Sequence, residues 1–137
     1  MRSWRKKGAA GLISFLLYLG IFALSSLPAS VLPAGVPDFI PHFCEYALLA
    51  FFSMHLFNDP GKPQAMAAGC AVLLLLAFLD EWHQAFVPGR FCSLKDLLFD
   101  ALGALAGIAA CLVLRRWAAK PHESRWARRL GDYIFRA

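Results

Sequence analysis

The sequence predicts an all-α fold, a bundle of four membrane-spanning helices, on three observations. Of its 137 residues, 59% are hydrophobic and only 17% charged, more apolar and less charged than a water-soluble domain sustains. Two stretches, Gly8 to Pro37 and Pro63 to Leu79, carry no charge at all, and about 20 such residues cross a hydrocarbon core. Eleven of the 14 Lys and Arg residues behind the net charge of +5 crowd the two ends of the chain. That placement is a membrane signature. It speaks against nucleic-acid binding, which wants a basic stripe along one face.

The first span runs from Gly8 to Pro28, after the basic residues Arg2, Arg5, Lys6 and Lys7. A cleaved signal peptide is the other reading of this start. The apolar run is longer than a signal core and lacks an A-x-A site, so it is read as a retained helix. Pro28 to Asp38, with three prolines and Gly35, is a linker, and a second span follows from Phe39 to Phe57. Asn58 to Pro63 holds two prolines and Gly61, chemistry that turns the chain. Gln64 to Phe86 is the third span, Val87-Pro88-Gly89-Arg90 a tight turn, and Leu94 to Trp117 the fourth span. Connections this short make consecutive helices antiparallel. The first domain is thus residues 1–117, the transmembrane bundle, and 118–137 a tail.

Twelve of the basic residues fall at the two ends and in the loop carrying Lys62, against only Arg90 and Lys95 in the other two loops. The positive-inside rule then puts both termini in the cytoplasm of a multi-pass protein of the inner or plasma membrane. In the tail, Trp126, Leu130, Tyr133 and Ile134 recur at helical spacing, with Arg125, Arg128, Arg129 and Arg136 largely off that stripe. Such a segment can lie on anionic inner-leaflet lipid; a plain solvated basic end that enforces topology is the other reading. Cys44, Cys70, Cys92 and Cys111 have no C-x-x-C spacing and read as small hydrophobes, Cys44 and Cys92 being the two that a disulfide could join.

Ionisable groups inside membrane spans are costly and mark function unless they sit at the interface or pair. Here they gather. His42, Glu45 and Tyr46 share a face at the start of the second span; Asp80, His83 and Gln84 share one at the end of the third; Asp96 and Asp100 open the fourth. The topology puts all three sets at one depth, near the outer surface. Each has a plainer reading. Ser93-x-x-Asp96 resembles a capping box, His42 after Pro41 could simply start a helix, and Glu81, on another face from Asp80, could pair with Arg90 or meet solvent. His55 reads as an interfacial or packing histidine. Asp100 is harder to dismiss, because its face continues through Gly103, Ala104, Gly107 and Cys111. The G-x-x-x-G step there admits a second backbone, whereas Leu112 is expected to face lipid. Arg90 is the one guanidinium on the outer side, suited to a carboxylate or phosphate.

The run Asp80-Glu81-Trp82-His83-Gln84-Ala85-Phe86-Val87-Pro88-Gly89-Arg90, with Asp96 and Gly103 after it and Ser25-Ser26-x-Pro28 and His42-Phe43-Cys44-Glu45-Tyr46 before it, resembles the VanZ-like membrane proteins over about residues 8 to 115. Two departures stand out: Phe39 follows Asp38 where the family usually has Lys, and Asp100 stands where it usually has Asn. The resemblance implies a link to reduced susceptibility to the glycopeptide teicoplanin, without a settled reaction.

Three readings of the site remain. It could be catalytic, with Asp80, Glu81, His83, Asp96 and Asp100 as acid and base candidates, or with a divalent metal on His42, Glu45, Asp80 and His83. It could bind a lipid-linked envelope precursor through His42, Glu45, Tyr46, Gln84 and Arg90. Or the polar groups could only glue an accessory protein together, for which one or two would do. No internal repeat points to a transporter, and a homo-oligomer is left open.

Overall fold

The computed structural model describes residues 2–31, 35, 37–57 and 60–119, with side chains from Lys7 onward. Four α-helices carry the fold: α1 (Arg2–Ser25), α2 (Phe39–Ser53), α3 (Pro63–Gln84) and α4 (Leu94–Ala119). Single 3₁₀ turns at Ala29–Val31 and Met54–Leu56 complete the elements, and there is no strand among the described residues. The basic tail from residue 120, including its predicted amphipathic stripe, lies outside the described residues.

Three helices, over Lys7–Ser25, Pro63–Gln84 and Leu94–Ala119, are long and apolar enough to cross a membrane. The second span is built differently from the uninterrupted helix expected for it. Its α-helix stops after 15 residues, and the 3₁₀ turn prolongs it at about 2 Å per residue instead of ~1.5 Å, for roughly 28 Å in all. The chain then leaves the helix at Phe57, whose ψ of 138° is extended. At the other end α1 begins six residues before the predicted start, because Arg and Lys are good helix formers and nothing between Arg2 and Gly8 breaks the helix. Pro63 opens α3 at a first-turn position, where its missing N–H costs nothing.

Consecutive helices run antiparallel, so α2 and α4 run parallel, and they form the main packing seam. Along it Gly103 faces the backbone carbonyl of Phe43 and Gly107 that of Ala47, so closely that a Cβ on either glycine would collide with that carbonyl group. The hydrogen occupying the Cβ position points instead at the oxygen, the geometry of a weak Cα–H···O bond. Below the seam the core is Tyr46, Leu49, Ala50 and Met54 of the second span against Leu73, Ala77, Ala104, Ile108 and Cys111. Leu112 is not a purely outward position: half-buried, it packs against this core, because it continues the i, i+4 column of the buried Ala104 and Ile108. Val113, 62% exposed, takes the outer position. All four cysteines are free.

The two loops at the polar end are tied to each other. The amide of Ala29 donates to the carbonyl of Pro88 at 3.3 Å. Gly89, at φ +75°, makes the turn, and its vacant Cβ position lies 3.1 Å from the Ala29 Cβ. A side chain there would meet both left-handed backbone strain and that methyl group. The last turn of α1, the start of α2, the end of α3 and the start of α4 therefore meet at one end of the bundle.

Candidate functional site

At that end, His42 on α2 stands between two acids from different helices. Its Nδ1 is 3.0 Å from Asp100 Oδ1 on α4 and 3.7 Å from Glu81 Oε1 on α3. The side chains of His42, Glu81 and Asp100 are 6%, 1% and 0% exposed. The glycine seam is what allows this, since it brings α2 and α4 close one helical turn below Asp100. Glu81 corrects the sequence reading that paired it with Arg90 or left it in solvent. The α3–α4 turn folds back over it, and its Oε2 accepts the Ser93 backbone N–H at 2.7 Å. Ser93 in turn caps α4, its hydroxyl accepting the Asp96 N–H at 3.2 Å. The capping function at this helix start thus belongs to Ser93.

A second network lies beside the first. Asp80 Oδ2 accepts the hydroxyl of Ser25 at 2.8 Å and the amide of Gln84 at 3.3 Å, and Gln84 also reaches Ser25 Oγ at 3.2 Å. This ties α1 to α3 through three buried side chains. His83, half-buried, stacks on Phe22 with ring centroids 4.4 Å apart, and its Nε2 is 3.0 Å from Ser26 Oγ. The Ser26 hydroxyl donates to Phe22 O at 2.7 Å. It has no second proton, so it accepts from His83 Nε2–H.

The remaining candidates surround these contacts. Glu45 is half-buried and within electrostatic reach of His42, Asp80, Asp100 and Arg90. Asp96 acts likewise on His42, Glu81 and Asp100. Tyr46 is fully buried, its hydroxyl without a protein partner. Half-buried Arg90 closes the turn through its backbone N–H to Val87 O at 3.0 Å. His55 sits at the far end of α2, 2.9 Å from Phe51 O and 3.9 Å from Cys111 Sγ.

The metal candidates drawn from the sequence regroup. Among the described residues, His42, Glu81 and Asp100 are the one set of three whose ligand-capable atoms lie within 4.8 Å of one another; Glu45, Asp80 and His83 are not in it. Helical-face arithmetic kept Glu81 among the acid and base candidates but left it out of the metal set, because it compared residues within α3, whereas α2 and α4 approach that helix from its other side. It also passed over Ser25, Ser26 and Ser93 as site members. Their signal was the placement of hydroxyls at helix ends next to an acid-rich level.

Three buried carboxylates each keep an oxygen without a protein hydrogen-bond partner: Asp80 Oδ1, Glu81 Oε1 and Asp100 Oδ2. Around them the bundle end is rich in exposed apolar side chains, among them Trp82, Phe86, Phe91 and Leu94.

Comparison with curated proteins and with solved structures finds no match. A family model described as VanZ/LLP1 matches residues 38–115, from just before α2 to near the end of α4. That segment holds every member of the His42 cluster and is more than half of the chain, which belongs to the VanZ/LLP1 family.

Proposed function

We propose that this multi-pass membrane protein binds or processes a lipid-linked component of the bacterial cell envelope, using the polar site at the outer end of its bundle. The unpartnered oxygens of Asp80, Glu81 and Asp100 carry the reading. A polar network that only holds helices together is expected to satisfy its members, because an unpaired group in a low dielectric is costly. Here acceptors are left over, at the end of the bundle where the Arg90 guanidinium acts on Glu45 and aromatic rings stand exposed. Arg90 is suited to a phosphate or carboxylate headgroup, and Phe86 and Phe91 to the lipid beside it. Reduced glycopeptide susceptibility would follow from what such binding changes at the surface. The structural reading is favoured by one contact set, Ser25–Asp80–Gln84, in which a buried acid cross-links two helices.

The test is binding of a polyprenyl-pyrophosphate-linked peptidoglycan precursor to the protein in phospholipid nanodiscs. Arg90→Gln and His83→Ala are expected to weaken it at least tenfold and to remove any teicoplanin tolerance, with thermal stability unchanged. Binding equal to wild type, or binding and stability falling together, would return the site to a structural role.

The proposal requires the site to face outward, with both termini cytoplasmic, as the twelve-to-two division of Lys and Arg implies. A cysteine introduced at Pro88 in a cysteine-free background should react with a membrane-impermeant maleimide in intact cells, and a periplasm-dependent reporter at the C-terminus should stay silent. The reverse pattern overturns the orientation.

A further inference from the structure

We propose that His42, Glu81 and Asp100 hold one divalent cation of the zinc or manganese type where α2, α3 and α4 converge. The inference stands on the geometry of these three residues and does not need the lipid reading, although a cation there would deepen it.

The donor spacing comes first. Ligands about 2.1 Å from a metal stand ~3.0 Å apart at octahedral and ~3.4 Å apart at tetrahedral angles. His42 Nδ1 lies 3.0 Å from Asp100 Oδ1 and 3.7 Å from Glu81 Oε1, and one ligand atom from each of the three residues lies within 4.8 Å of the other two, so the carboxylates need only draw in around an ion. The second observation is independent of spacing. Glu81 Oε1 and Asp100 Oδ2 belong to side chains at most 1% exposed and accept no hydrogen bond from the protein.

Charge points the same way. Two buried carboxylates beside a neutral imidazole match a dication, while a protonated His42 would balance only one of them. Asp80 and Asp96 both add negative potential at Asp100. One Glu81 oxygen faces the cluster and the other is held by the Ser93 N–H at 2.7 Å, the kind of outer contact that fixes a metal ligand's orientation. One nitrogen and carboxylate oxygens, without thiolate, suit zinc or manganese better than copper(I) or calcium. Three protein ligands also leave coordination positions open for a water or a substrate oxygen.

The experiment uses the full chain, tag removed, dialysed against EDTA and titrated with Co²⁺ and Zn²⁺. One Co²⁺ per chain is expected, with visible bands free of thiolate charge transfer, displaced by Zn²⁺, and with a rise in melting temperature on metal addition. His42→Ala, Glu81→Gln and Asp100→Asn should each weaken Co²⁺ binding at least tenfold, while Asp38→Asn, in the exposed linker, should not. Absence of stoichiometric binding in the wild type overturns the proposal whether or not the variants fold. So does wild-type affinity in folded His42→Ala and Glu81→Gln. Thiolate bands would place the ion instead near Cys111 and His55. A protein that binds Co²⁺ but no lipid-linked precursor sinks only the functional reading; one that binds the precursor after EDTA and takes up no metal sinks only this one.

Discussion

Replacing Gly107 by alanine is expected to lower the stability of the bundle more than any other single-methyl addition, and Gly103→Ala nearly as much. Helix propensity would favour the change by up to ~1 kcal/mol, so the sign depends on space. At Gly107 the new Cβ would collide with the Ala47 carbonyl and stand 3.0 Å from the Ala50 Cβ; at Gly103 it would collide with the Phe43 carbonyl. The obstacle is backbone in both cases and cannot rotate away. Overpacking of this kind costs about 1–3 kcal/mol or more, so the clash wins. Gly107→Leu should fail to fold. Gly20 has nothing within 4 Å of its Cβ position, and Gly20→Ala is the matched control, expected to be neutral or mildly stabilising. Melting in detergent decides the matter: equal effects at Gly20 and Gly107 would remove the close seam.

The second large effect is expected at the His42–Asp100 pair. Asp100→Ala leaves a buried imidazole facing Glu81 alone, and His42→Leu leaves two buried carboxylates with no imidazole. Breaking a buried pair from one side costs on the order of 3 to 5 kcal/mol. The double variant, with neither partner left stranded, should lose less than the sum of the singles by roughly 1–3 kcal/mol. It should also be inactive in precursor binding while still folded, which separates the contribution of these groups to stability from their use. Strict additivity would mean that the pair is not coupled.

How far the sequence could be read depended on whether the informative contact lay within one helix or between helices. The spans and turns were legible because apolar length and the Pro and Gly clusters are local properties. Asp100 was placed inward because its own helix repeats Gly103 and Gly107 beneath it. The break in the second span at Ser53 was not legible, since no Pro or Gly interrupts the chain between Pro41 and Leu56 and a change from α to 3₁₀ has no periodicity signal over three residues. Leu112 was misplaced by a narrow view of the buried stripe, which in α4 includes the Ala104–Ile108–Leu112 column. Glu81 needed the path of the α3–α4 turn, which brings the Ser93 amide back to it, and neither element encodes that return by itself. The membership of Asp80 and His83 in separate contacts, with Ser25 and Ser26, likewise follows from how α1 lies against α3.

The parallel seam of α2 and α4 sets a schedule for biogenesis. The residues that interlock, Phe43 with Gly103 and Ala47 with Gly107, are separated along the chain by the whole of α3. At roughly 5–20 residues per second the ribosome takes about 3 to 12 s to supply the second half of each contact. During that interval α2, the shortest of the four helices, holds His42 at the membrane without Asp100, and α3 carries Glu81 without the Ser93 amide. The nascent bundle therefore passes through a three-helix stage whose polar end is incomplete, and α4 is the helix that closes it. A ribosome stalled before α4 should leave a product that the membrane's quality-control proteases recognise, because its buried charges have no place to pair.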